Sequence, residues 1–278
     1  MLDKQIIKIF KEKLNENVIQ ITDSSNGIEQ IVKIVETKSK KYIFKNPHAG
    51  KEIMLYRENF VCSNLKSKFI PKIFFKGRNY LIESFLDGKR PERNSSENFY
   101  LSLGKNLKKI HAIQMSGFGE LQKTGKGEHK NPKNFLDSLT SQTFPKLKKI
   151  KSLDKKIIKH LEKIIYENIN FFDEKNSFLL HFDLTPDNIL EKNGKITGII
   201  DFGDVNCGPI EYDFGKLYLE ISNKIFKKVL KGYDKKLNMK KIKYFAVLHL
   251  IYMLPYFYKV NKKRYEKSMK LLEKFSNY

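Results

Sequence analysis

Arginine is scarce. Lysine and arginine together number 54 in this 278-residue chain, yet the only guanidinium groups are those of Arg57, Arg78, Arg90, Arg93 and Arg264. The formal net charge is +23, an excess that invites a nucleic-acid reading. Base-edge recognition and phosphate forks favour the planar guanidinium, however, and here the lysines are dispersed throughout. The excess reads as a solvated lysine coat with no nucleic acid expected, and a basic nucleic-acid-binding protein stays as the non-enzymatic alternative. Cysteine is nearly absent: Cys62 and Cys207 lie far apart, which excludes a disulfide framework or a CxxC metal pair and suits a reducing cytoplasm. No apolar run reaches transmembrane length. The first fifteen residues place Ile6, Ile7, Phe10 and Leu14 at helical spacing among charges, unlike the apolar core of a signal peptide. The expectation is a soluble cytoplasmic protein with no membrane partner. A glycine-rich GxGxxG fingerprint is missing as well.

What the chain does contain is a local reversal of sign. Between His181 and Asp213 stand seven acids (Asp183, Asp187, Glu191, Asp201, Asp204, Glu211, Asp213) and two lysines, Lys192 and Lys195. Within that stretch Asn193-Gly194 is flanked by Ile189 and Leu190 on one side and by Ile196, Ile199 and Ile200 on the other. Asn-Gly between apolar strands signals a tight β-hairpin. Closing the hairpin would set Asn188 beside Asp201, with Asp183 entering just before. Hard oxygen donors converging on one pocket suit Mg²⁺, which takes a few protein ligands plus substrate phosphates. The plainer reading is a solvated acidic loop with capping aspartates; the spacing favours the cation site.

Upstream, an amphipathic helix over 2–15 precedes strands at Val18–Thr22, Gln30–Val35 and Lys41–Lys45. The turn between the first two, Asp23-Ser24-Ser25-Asn26-Gly27, is small enough to lie over phosphates and offer backbone N–H groups. Alternation in the third strand puts Lys45 on the face of Ile43, where a point charge can meet a phosphate. A helix over 50–65 carries Glu52 and Glu58, either of which can pair with Lys45. Two further strands, Lys72–Phe75 and Asn79–Phe85, end at the Leu86-Asp87-Gly88 break, where we set the lobe border: residues 1–85 and 86–278. Helices dominate afterwards. His111 reads as a buried helix-end histidine and not as a ligand. Residues 116–133 show no regular pattern. Helices are expected over 134–141, 153–172, 212–221, 224–230, 239–255 and 262–275. The aromatics Tyr252, Tyr256, Phe257 and Tyr258 read as packing more than as a ligand cage.

This order, together with HFDLTPDNIL at 181–190, IIDFGD at 199–204 and YDFG at 212–215, resembles the aminoglycoside phosphotransferase and choline kinase family. The segment from Ser116 to Leu139 looks nearest to hygromycin-phosphotransferase-like members. The resemblance implies an α+β, two-lobed protein-kinase-like fold, with a five-stranded antiparallel sheet in a small N-lobe and a larger, mainly helical C-lobe. It implies an ATP- or GTP-dependent phosphotransferase acting with Mg²⁺ on a hydroxyl of a small molecule. The acceptor would be aminoglycoside-like, as in antibiotic resistance, or else choline, ethanolamine or another amino-alcohol or metabolite. By the same similarity Asp183 would be the catalytic base, His181 would hold the loop, and Asn188 and Asp201 would bind the metal. Lys45, paired with Glu58, and the loop Ser25, Asn26, Gly27 would meet the phosphates. Ile82, Glu83, Ser84 and Phe85 would form the adenine hinge, and Asp213 would brace the catalytic loop. Phe182 departs from the small residue usual after the histidine.

Overall fold

The computed structural model describes residues 2–26, 29–92, 95–172 and 176–276. In chain order the elements are α1 (Asp3–Leu14), β1 (Val18–Asn26), β2 (Gln30–Thr37), β3 (Lys41–Pro47), α2 (Ile53–Asn64), β4 (Ile73–Lys76) and β5 (Leu81–Ser84). Then come α3 (Glu97–Ile110), β6 (Phe118–Leu121), β7 (Gly127–His129), α4 (Pro132–Leu147), α5 (Lys155–Glu167) and β8 (Phe178–Leu180). The chain closes with β9 (Ile189–Lys192), β10 (Lys195–Ile199), β11 (Asn206–Gly208), α6 (Glu211–Glu220), α7 (Asn223–Tyr233), α8 (Met239–Val260) and α9 (Lys262–Ser276). These elements form two compact units, one of Met1–Ser102 with Pro186–Val205, the other of Leu103–Thr185 with Asn206–Tyr278. None of the described helices is long and apolar enough to cross a membrane.

The first unit is built on an antiparallel sheet of order β1-β2-β3-β5-β4. Strand alternation sends Val35, Tyr42, Phe44 and Ile82 to one face, where they meet Ile6 and Phe10 of α1 in a common core. The Phe10 ring meets Tyr42 edge-on at 5.3 Å, and Phe44 stacks on Tyr80 at 5.5 Å. Strands β1 and β2 run further than the turn-forming composition suggested. Ser25 and Asn26 are still paired, with Val32 and Ile31, beyond a register shift after Asp23. The hairpin β9–β10 joins this unit. Asn193 and Gly194 take φ of 52° and 72°, the left-handed pair a two-residue turn needs and the reason Asn-Gly is selected there. The segment after β5 belongs here too, so residues 85 and 86 both lie inside the first unit. It is tied to the hairpin by Lys89 N donating to Glu191 O at 2.9 Å and Glu191 N to Lys89 O at 2.7 Å, and by Lys192 pairing with Asp87.

The second unit packs helices around a four-stranded sheet of order β7-β6-β11-β8. Two of those strands lie in the stretch 116–133 whose sequence shows no regular pattern. Its hairpin depends on long-range pairing of Asn206 and Cys207 with Glu120 and Gly119, which no local periodicity can announce. Helix starts follow their caps: the Asn131 side chain accepts from Asn134 N at 2.9 Å, and Asp154 accepts from Lys156 N at 2.7 Å. In α5 the apolar face Ile158, Leu161, Ile165 is buried. Helices α6 and α8 approach so closely at Gly215 that an added Cβ would lie 2.6 Å from Ala246 N. Of the aromatic group near the end of α8 only Phe257 is packed away, whereas Tyr252, Tyr256 and Tyr258 are 45 %, 39 % and 45 % exposed. The three partly exposed tyrosines still lie against other rings, Tyr252 on Phe182 at 6.4 Å, Tyr256 on Phe257 at 6.0 Å and Tyr258 on Tyr265 at 5.2 Å, as the packing reading expects.

Candidate active site

In the first unit the buried Lys45 ammonium lies 3.0 Å from Glu58 Oε2, 3.1 Å from Glu83 Oε1 and 4.0 Å from Asp201 Oδ1. Strand β3 delivers Lys45 because its neighbours Tyr42 and Phe44 take the opposite, apolar face. Helix α2 delivers Glu58, whose Oε2 also accepts from Phe202 N at 3.0 Å. Glu58 is therefore the partner of Lys45; Glu52 sits outside the group and its Oε1 accepts from Gly50 N at 3.3 Å. Sequence reasoning gave Glu83 only a place in the hinge. Its side chain turns inward to the lysine, and nothing but its position opposite Ile43 on β3 would have signalled this.

Burial opposes the charge on Lys45, yet Glu58, Glu83 and Asp201 together hold its pKa well above the ordinary lysine value. The two glutamates shift the other way for a carboxylate: burial, only partly countered by Lys45, pushes Glu58 up to about 8 and raises Glu83. With one ammonium among three carboxylates, burial keeps Glu58 largely protonated at neutral pH. Asp201 stands at the open side of this group, 42 % exposed, and its Oδ1 also accepts from Gln30 Nε2 at 3.1 Å. Its φ of 66° is left-handed, a conformation aspartate tolerates better than most residues. The hairpin does what its sequence promised: Ile200 N donates to Asn188 O at 3.0 Å, which aligns Asn188 with the residue before Asp201. An amide oxygen from Asn188 and a carboxylate from Asp201 are hard donors of the kind that could hold a divalent cation. Of the phosphate-loop candidates, Ser25 and Asn26 are extended backbone and Gly27 lies outside the described residues. Ser84 bonds back to Lys72 by both its N (2.8 Å) and its Oγ (2.9 Å), Phe85 is half-buried, and Ile82 belongs to the core.

In the second unit the residues around Asp183 are held by Asp213. The Asp213 carboxylate is wholly buried and accepts from His181 N at 2.8 Å, from Phe182 N at 2.8 Å and faces His111 Nε2 at 3.1 Å. His111 Nδ1 meets Tyr233 Oη at 3.2 Å, which makes it the buried helix-end histidine expected. Phe182 has φ of 69°, unusual for a bulky side chain and a sign of stored strain. Its ring lies 5.0 Å from Tyr212, 6.2 Å from His249 and 6.4 Å from Tyr252. Asp183 itself, 42 % exposed, has Lys216 Nζ 3.6 Å from its Oδ1. Lys216 was one lysine among many in the sequence, with no signal to single it out.

The first unit thus holds a buried lysine–glutamate pair next to a hairpin bearing an amide and a carboxylate, and the second holds a carboxylate on a braced loop. The sequence profile described as "Phosphotransferase enzyme family" matches residues 21–240, and the chain belongs to that family. No curated protein sequence matches the chain. Solved structures share its fold. A thermostable mutant of aminoglycoside phosphotransferase APH(4)-Ia in ternary complex with AMP-PNP and hygromycin B superposes with a TM-score of 0.80 at 14 % identity, over 98 % of each chain. The gentamicin complex of APH(2")-IIa gives 0.70 at 19 % identity over 98 % of this chain and 96 % of that one. Macrolide 2'-phosphotransferase MphH from Brachybacterium faecium gives 0.71 at 12 % identity over 97 % of each. The mixed α+β architecture expected from the motifs, with its five-stranded antiparallel sheet and larger helical part, is the one these structures have.

Proposed function

We propose that this chain transfers the γ-phosphoryl group of ATP or GTP to a hydroxyl of a small molecule, foremost an aminoglycoside-type antibiotic, in the cytoplasm. The observation that carries the reading is the buried Lys45–Glu58 pair at 3.0 Å with Asp201 beside it, in a chain of the phosphotransferase family. Two free, buried cysteines accord with a reducing compartment.

Phosphoryl transfer proceeds through a loose transition state, so the protein's work is to position groups and offset charge. Lys45, steadied by Glu58 and Glu83, presents an ammonium to the nucleotide phosphates. Asn188 and Asp201 would hold Mg²⁺, which when bound neutralises phosphate charge. Asp183 orients the acceptor hydroxyl and takes its proton as the oxygen bonds to the γ-phosphorus and the bond to the β-phosphate oxygen breaks. Asp213 keeps the backbone on either side of His181 and Phe182 in register for Asp183. The exposed Tyr252 and Tyr256 rings support a cationic acceptor through cation–π contact, which also keeps an amino-alcohol such as choline or ethanolamine as the second reading.

The test is ADP release with ATP or GTP and a panel of hygromycin B, gentamicin, streptomycin, a macrolide, choline and ethanolamine. Asp183→Asn is expected to lower turnover on the active acceptor roughly 10²–10⁴-fold while nucleotide affinity stays within about twofold. Wild-type turnover in that variant refutes the assignment of the base.

A further inference from the structure

Resting on that reading of Asp183, we propose that Lys216 is a positioning residue for it: a buried ammonium that fixes one carboxylate oxygen of Asp183 from the protein interior. Lys216 Nζ is only 4 % exposed and lies 3.6 Å from Asp183 Oδ1 and 3.7 Å from Glu220 Oε1. Burying an ammonium is costly unless its donors are met. The third partner meets that need, because His249 Nε2 stands 3.0 Å from Nζ. Burial first, and then the adjacent ammonium, drive the His249 pKa well below its ordinary value. The imidazole is thus neutral and accepts the lysine's N–H, which leaves the ring proton on Nδ1.

The exposure of the two partners differs. Asp183 is 42 % exposed while Lys216 is sealed, so the ammonium grips the carboxylate from behind and leaves its outer side to solvent and to an acceptor. The same histidine carries the Phe182 ring at 6.2 Å, so the residue before Asp183 is anchored to the Lys216 group as well. A lysine serving only helix α6 would gain no more than its Glu220 pair, a weak i,i+4 contact, and would not need to be buried.

The experiment is a double-mutant cycle on Lys216→Met and Asp183→Asn, with ADP release followed for Mg-ATP plus hygromycin B. Mg-ATP hydrolysis with water as acceptor is used where hygromycin B is not turned over. Lys216→Met is expected to lower kcat roughly 10–100-fold, the scale of a misplaced reacting group. The affinity for AMP-PNP should stay within about twofold of wild type, and Lys216→Arg, which keeps the charge, should recover part of the loss. In the Asp183→Asn background the same substitution should change kcat by less than about threefold, since the carboxylate charge it holds is already gone. Undiminished turnover in Lys216→Met while Asp183→Asn collapses overturns the role of Lys216 alone. Equal losses in both backgrounds overturn it too, because the lysine would then act elsewhere. Wild-type turnover in Asp183→Asn refutes the base assignment and with it the reason for Lys216. If Lys216→Met does not fold, Lys216→Gln, which keeps a donor for His249, takes its place; failure of both to fold overturns positioning in favour of a purely structural lysine.

Discussion

Asp213→Asn separates the charge of the brace from its shape. In the folded protein that carboxylate accepts two backbone N–H bonds at 2.8 Å, from His181 and Phe182, and faces His111 Nε2 at 3.1 Å. An asparagine keeps one acceptor oxygen and turns an NH₂ toward one of those donors. At least one buried charge-assisted bond is lost, at about 1.5–3 kcal/mol, and a buried N–H is left unmet, at about 1–3 kcal/mol. Partial relaxation brings the expected cost to about 3 kcal/mol. Part of the relaxation comes from Phe182, whose left-handed backbone stores about 1–3 kcal/mol of strain that the Asp213 bonds hold in place and that their loss releases. Phe182→Gly removes the strain beforehand, so in that background no strain is left to release and Asp213→Asn should cost about 1 kcal/mol more. Urea unfolding monitored by far-UV circular dichroism, with all four proteins compared at equal m-value, gives both numbers. A cost below about 1 kcal/mol, or the same cost beside glycine and phenylalanine, would refute the account of the brace.

Asp201→Asn should weaken nucleotide binding at least tenfold in the presence of Mg²⁺ and far less in EDTA; unchanged affinity with the metal present speaks against its assignment as a ligand. Glu58 and Glu83 both titrate above the usual carboxylate range, chiefly through burial. The folded protein therefore binds more protons than the unfolded one. Their contribution is complete below about pH 4.5 and is lost as pH rises toward the Glu58 value of about 8. Glu83→Gln relieves the like-charge pressure on Glu58, and the fall in Tm of the metal-free protein between pH 5 and pH 8 should shrink; a fall as large as in wild type contradicts the pairing. Gly215→Ala places a methyl 2.6 Å from Ala246 N and should cost about 1–3 kcal/mol, read as a lower urea midpoint, whereas an unchanged midpoint would mean that α6 and α8 separate freely.

The parts of the site that were legible in the sequence are those set by local geometry. Asn193-Gly194 dictates a left-handed turn, and a hairpin has no choice but to align its ends, which is why the sequence alone puts Asn188 beside the Ile200–Asp201 end. Alternation in β3 likewise put Lys45 on its own face. What stayed hidden depends on partners distant in the chain. Glu83 looks like an ordinary strand residue until β3 lies beside β5, and Lys216 has no distinguishing neighbour until α8 brings His249 to it. Strands β6 and β7 are short and pair with each other, and β6 is joined to the rest of its sheet by β11, some ninety residues later in the sequence. The ring contacts of the α8 tyrosines were legible but their exposure was not, because an apolar helix reads as core along its whole length and only the packing shows where it emerges.

The first unit draws its last piece, Pro186–Val205, from a point in the chain beyond most of the second. A ribosome adding about 5–20 residues per second makes the stretch from Ser102 to Val205 in roughly 5–20 s. Throughout that interval the nascent sheet carries Lys45, Glu58 and Glu83 without Phe202 N to bond Glu58 and without Asp201 to share the lysine. The half-made unit must wait with its most heavily charged interior unfinished, so folding during synthesis is gated by arrival of the hairpin. A chain stalled before residue 205 should be markedly more sensitive to protease across residues 41–84 than one stalled just after it.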